Sequence, residues 1–378
     1  MPWKETTTMS QKAEMIERAK EAGTNLSALS REYGVSRKTL YKWVKREQAA
    51  GEAGLVEQTR RPQHSPERTA GAMEERVMGV RREHPTWGGR KIRRVLQDQK
   101  IAEVPAASTI TEILRRHALI DAEEARKHTA YQRFERARPN EMWQMDFKGY
   151  FSLLAGGACH PLTVIDDHSR FLVGLKACLE ETQATVKTHL SAIFNQFGMP
   201  DSLLMDNGSV WRAEPNTYTT TFSLWLMRLE IQVIHGRPRH PQTQGKDERL
   251  NRTLLDEVIS RCALATLQDS QVRFDAWQHV YNFVRPHDAL GLDTPSSHYQ
   301  PSPRPFPAVL PPISYPPGDM VRKVDTNGKV YFANRSFRIG KAFRHEPVAV
   351  RPTATDGLFD VFFCKSKVAH IDLRADNC

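Results

Sequence analysis

Apolar positions fall into three successive rhythms along the chain. Over residues 11–22, Ala13, Ile16 and Ala19 recur at helical spacing, which predicts an amphipathic helix. Asn25 is a good N-cap for a second helix that turns Leu26 and Leu29 inward and stops at Gly34. Ser36 caps a third, RKTLYKWVKREQ, anchored by Leu40 and Trp43. The spacing fits a helix-turn-helix over residues 8–54, and it leaves Arg37, Lys38 and Lys42 facing outward, where a DNA groove would lie. A plain three-helix bundle with a solvated basic face is the bland alternative.

A linker follows, GLVEQTRRPQHSP, whose Arg60-Arg61-Pro62 could trace a minor groove or simply be solvated. The helical rhythm returns over 66–83. Gly88-Gly89 opens the helix GGRKIRRVLQDQ, and after Val104-Pro105 the segment STITEILRRH, capped by Ser108, turns Ile110, Ile113 and Leu114 inward. This predicts a second helix-turn-helix over 66–118, with 119–140 as a charged linker.

From Trp143 the rhythm becomes that of strands. MWQMDFKGYFSLL, PLTVIDDHSRFLVGLKAC and SLLMD read as β-rich, with a helix at 181–197 among them. A helix at 217–229, the strand IQVIH, the loop GRPRHPQTQ, a long helix at 244–263 and a last one at 267–284 complete residues 141–290. Three strands in a meander followed by alternating helix and strand predict a mixed sheet covered by helices. Residues 300–317 hold eight prolines, which predicts a semi-rigid linker. Five short strands beyond it, with turns at Asn327-Gly328 and Asp356-Gly357, predict a small β-barrel over 318–375.

Composition narrows the classes. At 378 residues the chain needs several cores. Mean hydropathy is −0.55, and no run of about 18 apolar residues offers a membrane span. The opening MPWKETTTMSQKAEM contains no secretory signal, and Cys159, Cys178, Cys262, Cys364 and Cys378 include no C-x-x-C pair. Both observations point to the cytoplasm. No Walker-type motif suggests a nucleotide cofactor. The net charge of +10 predicts a polyanionic partner. It is uneven: +9 over residues 1–140 (28 basic, 19 acidic), −4 over 141–300 (14 and 18) and +5 over 301–378 (12 and 7). The ends can grip phosphates, while the acidic middle needs another explanation.

Three acids stand in unusual settings. Asp146 interrupts the apolar strand WQMDFKGY, Asp206 ends SLLMD just before Asn207-Gly208, and Glu248 lies near the start of a helix in TQGKDERLNRTL. Acids at buried strands are costly unless a cation meets them. Two divalent metals about 3.5–4 Å apart would do so while bridging a scissile phosphate. Mg²⁺ suits a sparse carboxylate set completed by water and phosphate oxygens.

The segments W-x-M-D-F, V-I-D-D-H-S-R-F, M-D-N-G-S, H-P-Q-T-Q-G-K-D-E-R-x-N-R-T-L and Y-N-x-x-R-P-H-x-A-L-G resemble the integrase core of bacterial insertion-sequence DDE transposases, which is shared with retroviral integrases. With the flanking domains, the resemblance spans about residues 10–375. It implies an α/β RNase H-like core between all-α helix-turn-helix domains and a β-barrel, and a triad falling on Asp146, Asp206 and Glu248. Between the last two lie 41 residues, more than such cores usually carry, with the excess expected in RAEPNTYTT. Asp247 replaces the apolar residue most relatives have before the glutamate. Only one of the two neighbours can face the other acids, and Glu248 is chosen because Leu250, Leu254 and Leu255 set the buried stripe beside it.

The remaining residues take plainer roles. Asp166 and Asp167 read as a turn between strands, Asp201 as a turn residue, and His168, His240 and His287 as structural. Lys246, Arg249 and Arg252 are candidates for phosphate contacts, with an exposed ion pair as the alternative for Arg252. Arg285 is expected to pack locally.

The resemblance implies two Mg²⁺ or Mn²⁺ ions, one held mainly by Asp146 and Asp206 and the other by Asp146 and Glu248. It further implies hydrolysis at transposon 3′ ends, followed by attack of the freed 3′-OH on target DNA. The implied partners are double-stranded DNA, as terminal inverted repeats and target, and further copies of the chain in a dimer or larger assembly at the nucleoid. A non-catalytic DNA-binding descendant and another RNase H-like nuclease are the rivals. A tyrosine recombinase is excluded, because no histidine has arginine three residues on.

Overall fold

A computed structural model describes residues 7–57, 68–120, 135–206, 208–211, 219–235 and 245–375. The chain divides into two compact units, Met1–Arg68 and Thr69–Cys378. Arg60-Arg61-Pro62, the loop GRPRHPQTQ with His240, Asn207, Cys378 and nearly all of RAEPNTYTT lie outside the described residues. No helix among those described is long and apolar enough to cross a membrane.

The first unit contains α1 (Thr8–Lys20), α2 (Leu26–Glu32) and α3 (Arg37–Ala50). The expected caps form: Asn25 accepts from the amides of Ser27 and Ala28, and Ser36 from that of Thr39. α1 starts earlier than the apolar spacing suggests, because Thr7 caps it through the Ser10 amide. Gly34 turns the chain with φ 63°, a conformation that costs glycine nothing. Met15, Ile16, Leu29, Leu40, Trp43 and Leu55 form the core, each contributing about 1.5–3 kcal/mol by burial.

The second unit opens with α4 (Gly71–Glu83), α5 (Gly89–Asp98) and α6 (Ala107–Arg116), packed around Val77, Trp87, Ile92, Ile110, Ile113 and Leu114. A Cβ on Gly89 would come within 2.3 Å of the Ala107 carbonyl, so α5 and α6 approach closely only because this residue is glycine. Ser108 is not the cap expected of it; α6 begins one residue earlier, with Ala106 at the cap position and no side-chain cap.

Next come β1 (Trp143–Phe147), β2 (Phe151–Ser152), β3 (Ala158–Asp166), β4 (Leu172–Cys178), α7 (Gln183–Phe197), β5 (Ser202–Met205), α8 (Thr221–Arg228), β6 (Gln232–His235), α9 (Gly245–Leu254) and α10 (Leu267–Phe283). β3 pairs antiparallel with β4 and with β1, while β1–β5 and β5–β6 are parallel. This is the expected mixed sheet. α7 and α8 cover one face through Leu190, Phe194 and Trp225, and α9 and α10 the other through Leu250, Leu254 and Phe274. The long helix expected over 244–263 is α9 followed by one π-helical turn, Leu255–Ile259.

The proline-rich stretch, expected as a semi-rigid linker, is a strap on the core. Tyr299 stacks on Phe171 at 4.2 Å between centroids, and Phe306 packs against Phe194 and Trp225. Arg304 donates to the carbonyls of Pro200, Leu229 and Glu230. Beyond it lie β7 (Met320–Lys323), β8 (Lys329–Phe332), β9 (Arg335–Arg338), β10 (Pro347–Pro352), β11 (Leu358–Phe363) and β12 (Ser366–Asp372). The strands are antiparallel, but they do not close as the expected barrel: four form a sheet in the order β12-β11-β10-β7, and β8-β9 is a separate hairpin. Leu224 of α8 joins their core, together with Val330, Phe343 and Phe363.

Candidate active site

Parallel pairing places two of the acids side by side. Met145 on β1 and Met205 on β5 are register partners, both wholly buried, and the next residues are Asp146 and Asp206. Both acids are half-buried. The Gly208 amide donates to Asp206 Oδ1 at 2.9 Å. Burial, and then the Asp206 charge, pushes Asp146 up to about 7. Two carboxylates at adjacent strand ends repel each other.

α9 supplies a third carboxyl, and it is Asp247 that the structure brings against Asp146. Asp247 is 1% exposed. Its Oδ1 lies 3.0 Å from the Thr163 hydroxyl, which also reaches the Asp146 carbonyl at 3.1 Å. The Asn251 amide donates to Asp247 Oδ2 at 3.1 Å and to Asp146 Oδ2 at 3.3 Å. Burial, and then the neighbouring Asp146, raises Asp247 well above the usual carboxylate range. Glu248 is exposed on the adjoining face of α9. The leucine stripe used to select Glu248 in fact carries Asp247 inward, because Asp247 stands three residues before Leu250 and seven before Leu254. Among the described residues no three histidine, cysteine or acidic side chains cluster closely enough to hold a metal ion.

The cations of α9 differ in setting. Lys246 meets the fully buried Asp167, Nζ to Oδ1 2.6 Å. Arg249 is exposed. Arg252, 68% exposed, lies 4.0 Å from Asp256, the ion pair given as its alternative. Arg37, Lys38 and Lys42 are exposed on α3, with Lys42 Nζ 5.0 Å from the Trp43 ring.

Residues read as structural are placed accordingly. Asp166 accepts from the Asn140 amide and from the amide and hydroxyl of Ser169, closing the β3–β4 turn. Asp201 pairs with Arg138. His168 contacts the Arg136 carbonyl, and buried His287 that of Tyr281. Arg285, expected to pack locally, bonds the distant Glu257 at 3.3 Å. The sequence offered no signal for the distant partners around α5: Arg94, besides its local pair with Asp98, reaches Asp293 at 2.8 Å, Arg90 reaches Asp288 at 3.1 Å, and the preceding Thr86 donates to Glu257.

Comparison with known proteins follows the same plan. Residues 136–241 and 229–295 match the integrase core domain, and residues 319–378 match the C-terminal domain of IS481 family transposases. Residues 11–63 match a helix-turn-helix domain and 39–114 a homeodomain-like domain. These matches support an insertion-sequence DDE transposase with an integrase-like core.

Similar proteins include the Gag-Pro-Pol polyprotein of Mason-Pfizer monkey virus, 33% identical over 116 residues (31% of this chain and 6% of that protein). The 31.7 kDa protein of insertion element IS407 from Burkholderia multivorans is 25% identical over 158 residues, 42% of this chain and 54% of that protein. The chain thus spans only a small part of the viral polyproteins and about half of the IS407 protein. The catalytic core domain of HTLV-2 integrase aligns over 43% of this chain and 99% of its own at 17% identity, with a TM-score of 0.34.

Proposed function

We propose that this transposase binds the terminal inverted repeats of its element in the bacterial nucleoid, hydrolyses a strand at each 3′ end and joins the freed 3′-OH to target DNA. The observation that carries this reading is the pairing of β1 with β5, which sets Asp146 and Asp206 at neighbouring strand ends. Hard oxygen donors at a site strained by like charge fit Mg²⁺ or Mn²⁺. Asp146, Asp206 and Glu248 would hold two such ions, which supply activation of water and stabilisation of the leaving oxygen.

Glu248 is preferred to Asp247 as the third ligand on accessibility. Asp247 is sealed, with one oxygen against Thr163 and the other against Asn251, whereas Glu248 is open to solvent and to a DNA strand. Asp247 and Asn251 support Asp146 from beneath. Arg37, Lys38 and Lys42 would enter the repeat DNA, and Arg249 and Arg252 would contact phosphates near the cut. Both ends must be handled together, so the active species is a dimer or larger assembly.

The test is cleavage of a labelled end fragment with Mg²⁺. Wild type nicks at the 3′ end, and Asp146→Asn binds the fragment without nicking it. Equal nicking by both proteins overturns the reading.

A further inference from the structure

Asp167 is a fully buried acid that the proposed reaction does not use. Its Oδ2 accepts from the Arg136 amide at 2.8 Å, and its Oδ1 from the Gln144 side chain at 2.7 Å and from Lys246 Nζ at 2.6 Å. Its own carbonyl accepts from Lys246 again, at 3.0 Å. Three separated segments therefore meet on one side chain: the approach to β1, β1 itself and the first turn of α9. Lys246 stands directly before Asp247 and Glu248.

We infer that Asp167 and Lys246 are positioning residues, a clasp that sets the rotation of α9 and so the direction in which its acidic pair points. Leu250 and Leu254 hold the middle of the helix in the core, but they lie one and two turns beyond the acids. In the first turn the side-chain anchors are Lys246 on Asp167 and Asp247 on Thr163. Successive helix residues diverge by about 100°, so the rotation of that turn decides which of the acidic pair faces Asp146 and Asp206. A lysine held twice by a buried partner is costly to withdraw, which argues against Lys246 reaching a DNA phosphate while α9 stays in place. This inference rests on the transposase reading for its activity readout, but not for its structural one.

The experiment compares Asp167→Asn, Lys246→Gln, the double variant and Lys246→Arg in the full chain, by single-turnover nicking, end-DNA binding across salt, and hydrogen exchange of the α9 amides. Each single substitution is expected to slow nicking at least tenfold, to leave end affinity and its salt slope unchanged, and to speed exchange at residues 247–249 with β3 unaffected. The double variant is expected to be no slower than the worse single, and Lys246→Arg to recover most of the rate. If Lys246 instead grips a phosphate, Lys246→Gln weakens binding, lowers the salt slope by about 0.9 and adds to Asp167→Asn, which overturns the clasp. Unchanged exchange in α9 also overturns it. A wild type that nicks nothing defeats the transposase reading alone, since the exchange measurement still decides the clasp.

Discussion

Thr163 Oγ1 and Asp247 Oδ1 lie 3.0 Å apart, and the same hydroxyl reaches the Asp146 carbonyl. One side chain of β3 thus ties α9 to the strand that carries the first aspartate. Thr163 is wholly buried, so Thr163→Val would leave Asp247 short of a partner. A loss of about 1–3 kcal/mol is expected, read as a lowered unfolding midpoint. A midpoint equal to that of wild type would show that the hydroxyl carries no such load.

Glu257, in the π-helical turn, joins the second helical domain to the core. It accepts from Thr86, Trp277 and Arg285. Burial pushes its carboxyl up, but Arg285 and the two other donors outweigh that and leave it below the ordinary value. Glu257→Ala strands Arg285, which is only 12% exposed. Such losses cost about 3–5 kcal/mol, and calorimetry of the full chain should register the drop. Glu257→Gln, which keeps two of the bonds, should lose less.

Lys91 sits at the same junction and gives a pH signature. Burial, and then Arg285, lowers its ammonium from 10.5 to about 7. Between those values the unfolded chain holds a proton that the folded chain has released, so stability rises with pH across the window. At pH 6 the full cost of the buried charge is present. Lys91→Met should therefore raise the melting temperature at pH 6, and its advantage should shrink by pH 9.5. An advantage that is constant or grows with pH would contradict the assignment.

The strap makes a fourth prediction. Arg304 binds the carbonyls of Pro200, Leu229 and Glu230, in the segments that lead into β5 and β6. Arg304→Met leaves three carbonyls without this partner, and an unsatisfied buried acceptor costs about 1–3 kcal/mol. Proteolysis should then cut within 300–313 before the rest of unit two, whereas wild type resists there.

Much of this architecture was legible because it is local. The caps Asn25 and Ser36, the turn at Gly34 and the strand rhythm around Asp146 and Asp206 are written in neighbouring residues. What escaped is long-range. Eight prolines read as a spacer because nothing local announces that Tyr299 stacks on Phe171 or that Arg304 binds Pro200. Residues 318–375 show five strand-like runs and their turns, but whether a sheet closes depends on pairings that alternation does not encode. Asp247 was the nearest miss: the spacing to Leu250 and Leu254 already placed it inward, and setting that leucine stripe beside Glu248 directed attention to the wrong neighbour for the buried position.

In the proposed reaction the exposed member of the acidic pair does the chemistry and the buried member supports it. The direct test is strand transfer with Mg²⁺ by wild type, Glu248→Gln and Asp247→Asn on the same labelled end. Glu248→Gln should bind the end but neither nick nor join it. Asp247→Asn fills the same space and can still donate to Asp146, so it should keep activity within about tenfold of wild type, a barrier change of about 1.4 kcal/mol. The opposite pattern, with Glu248→Gln active and Asp247→Asn dead, would move the third ligand to Asp247 and contradict the account.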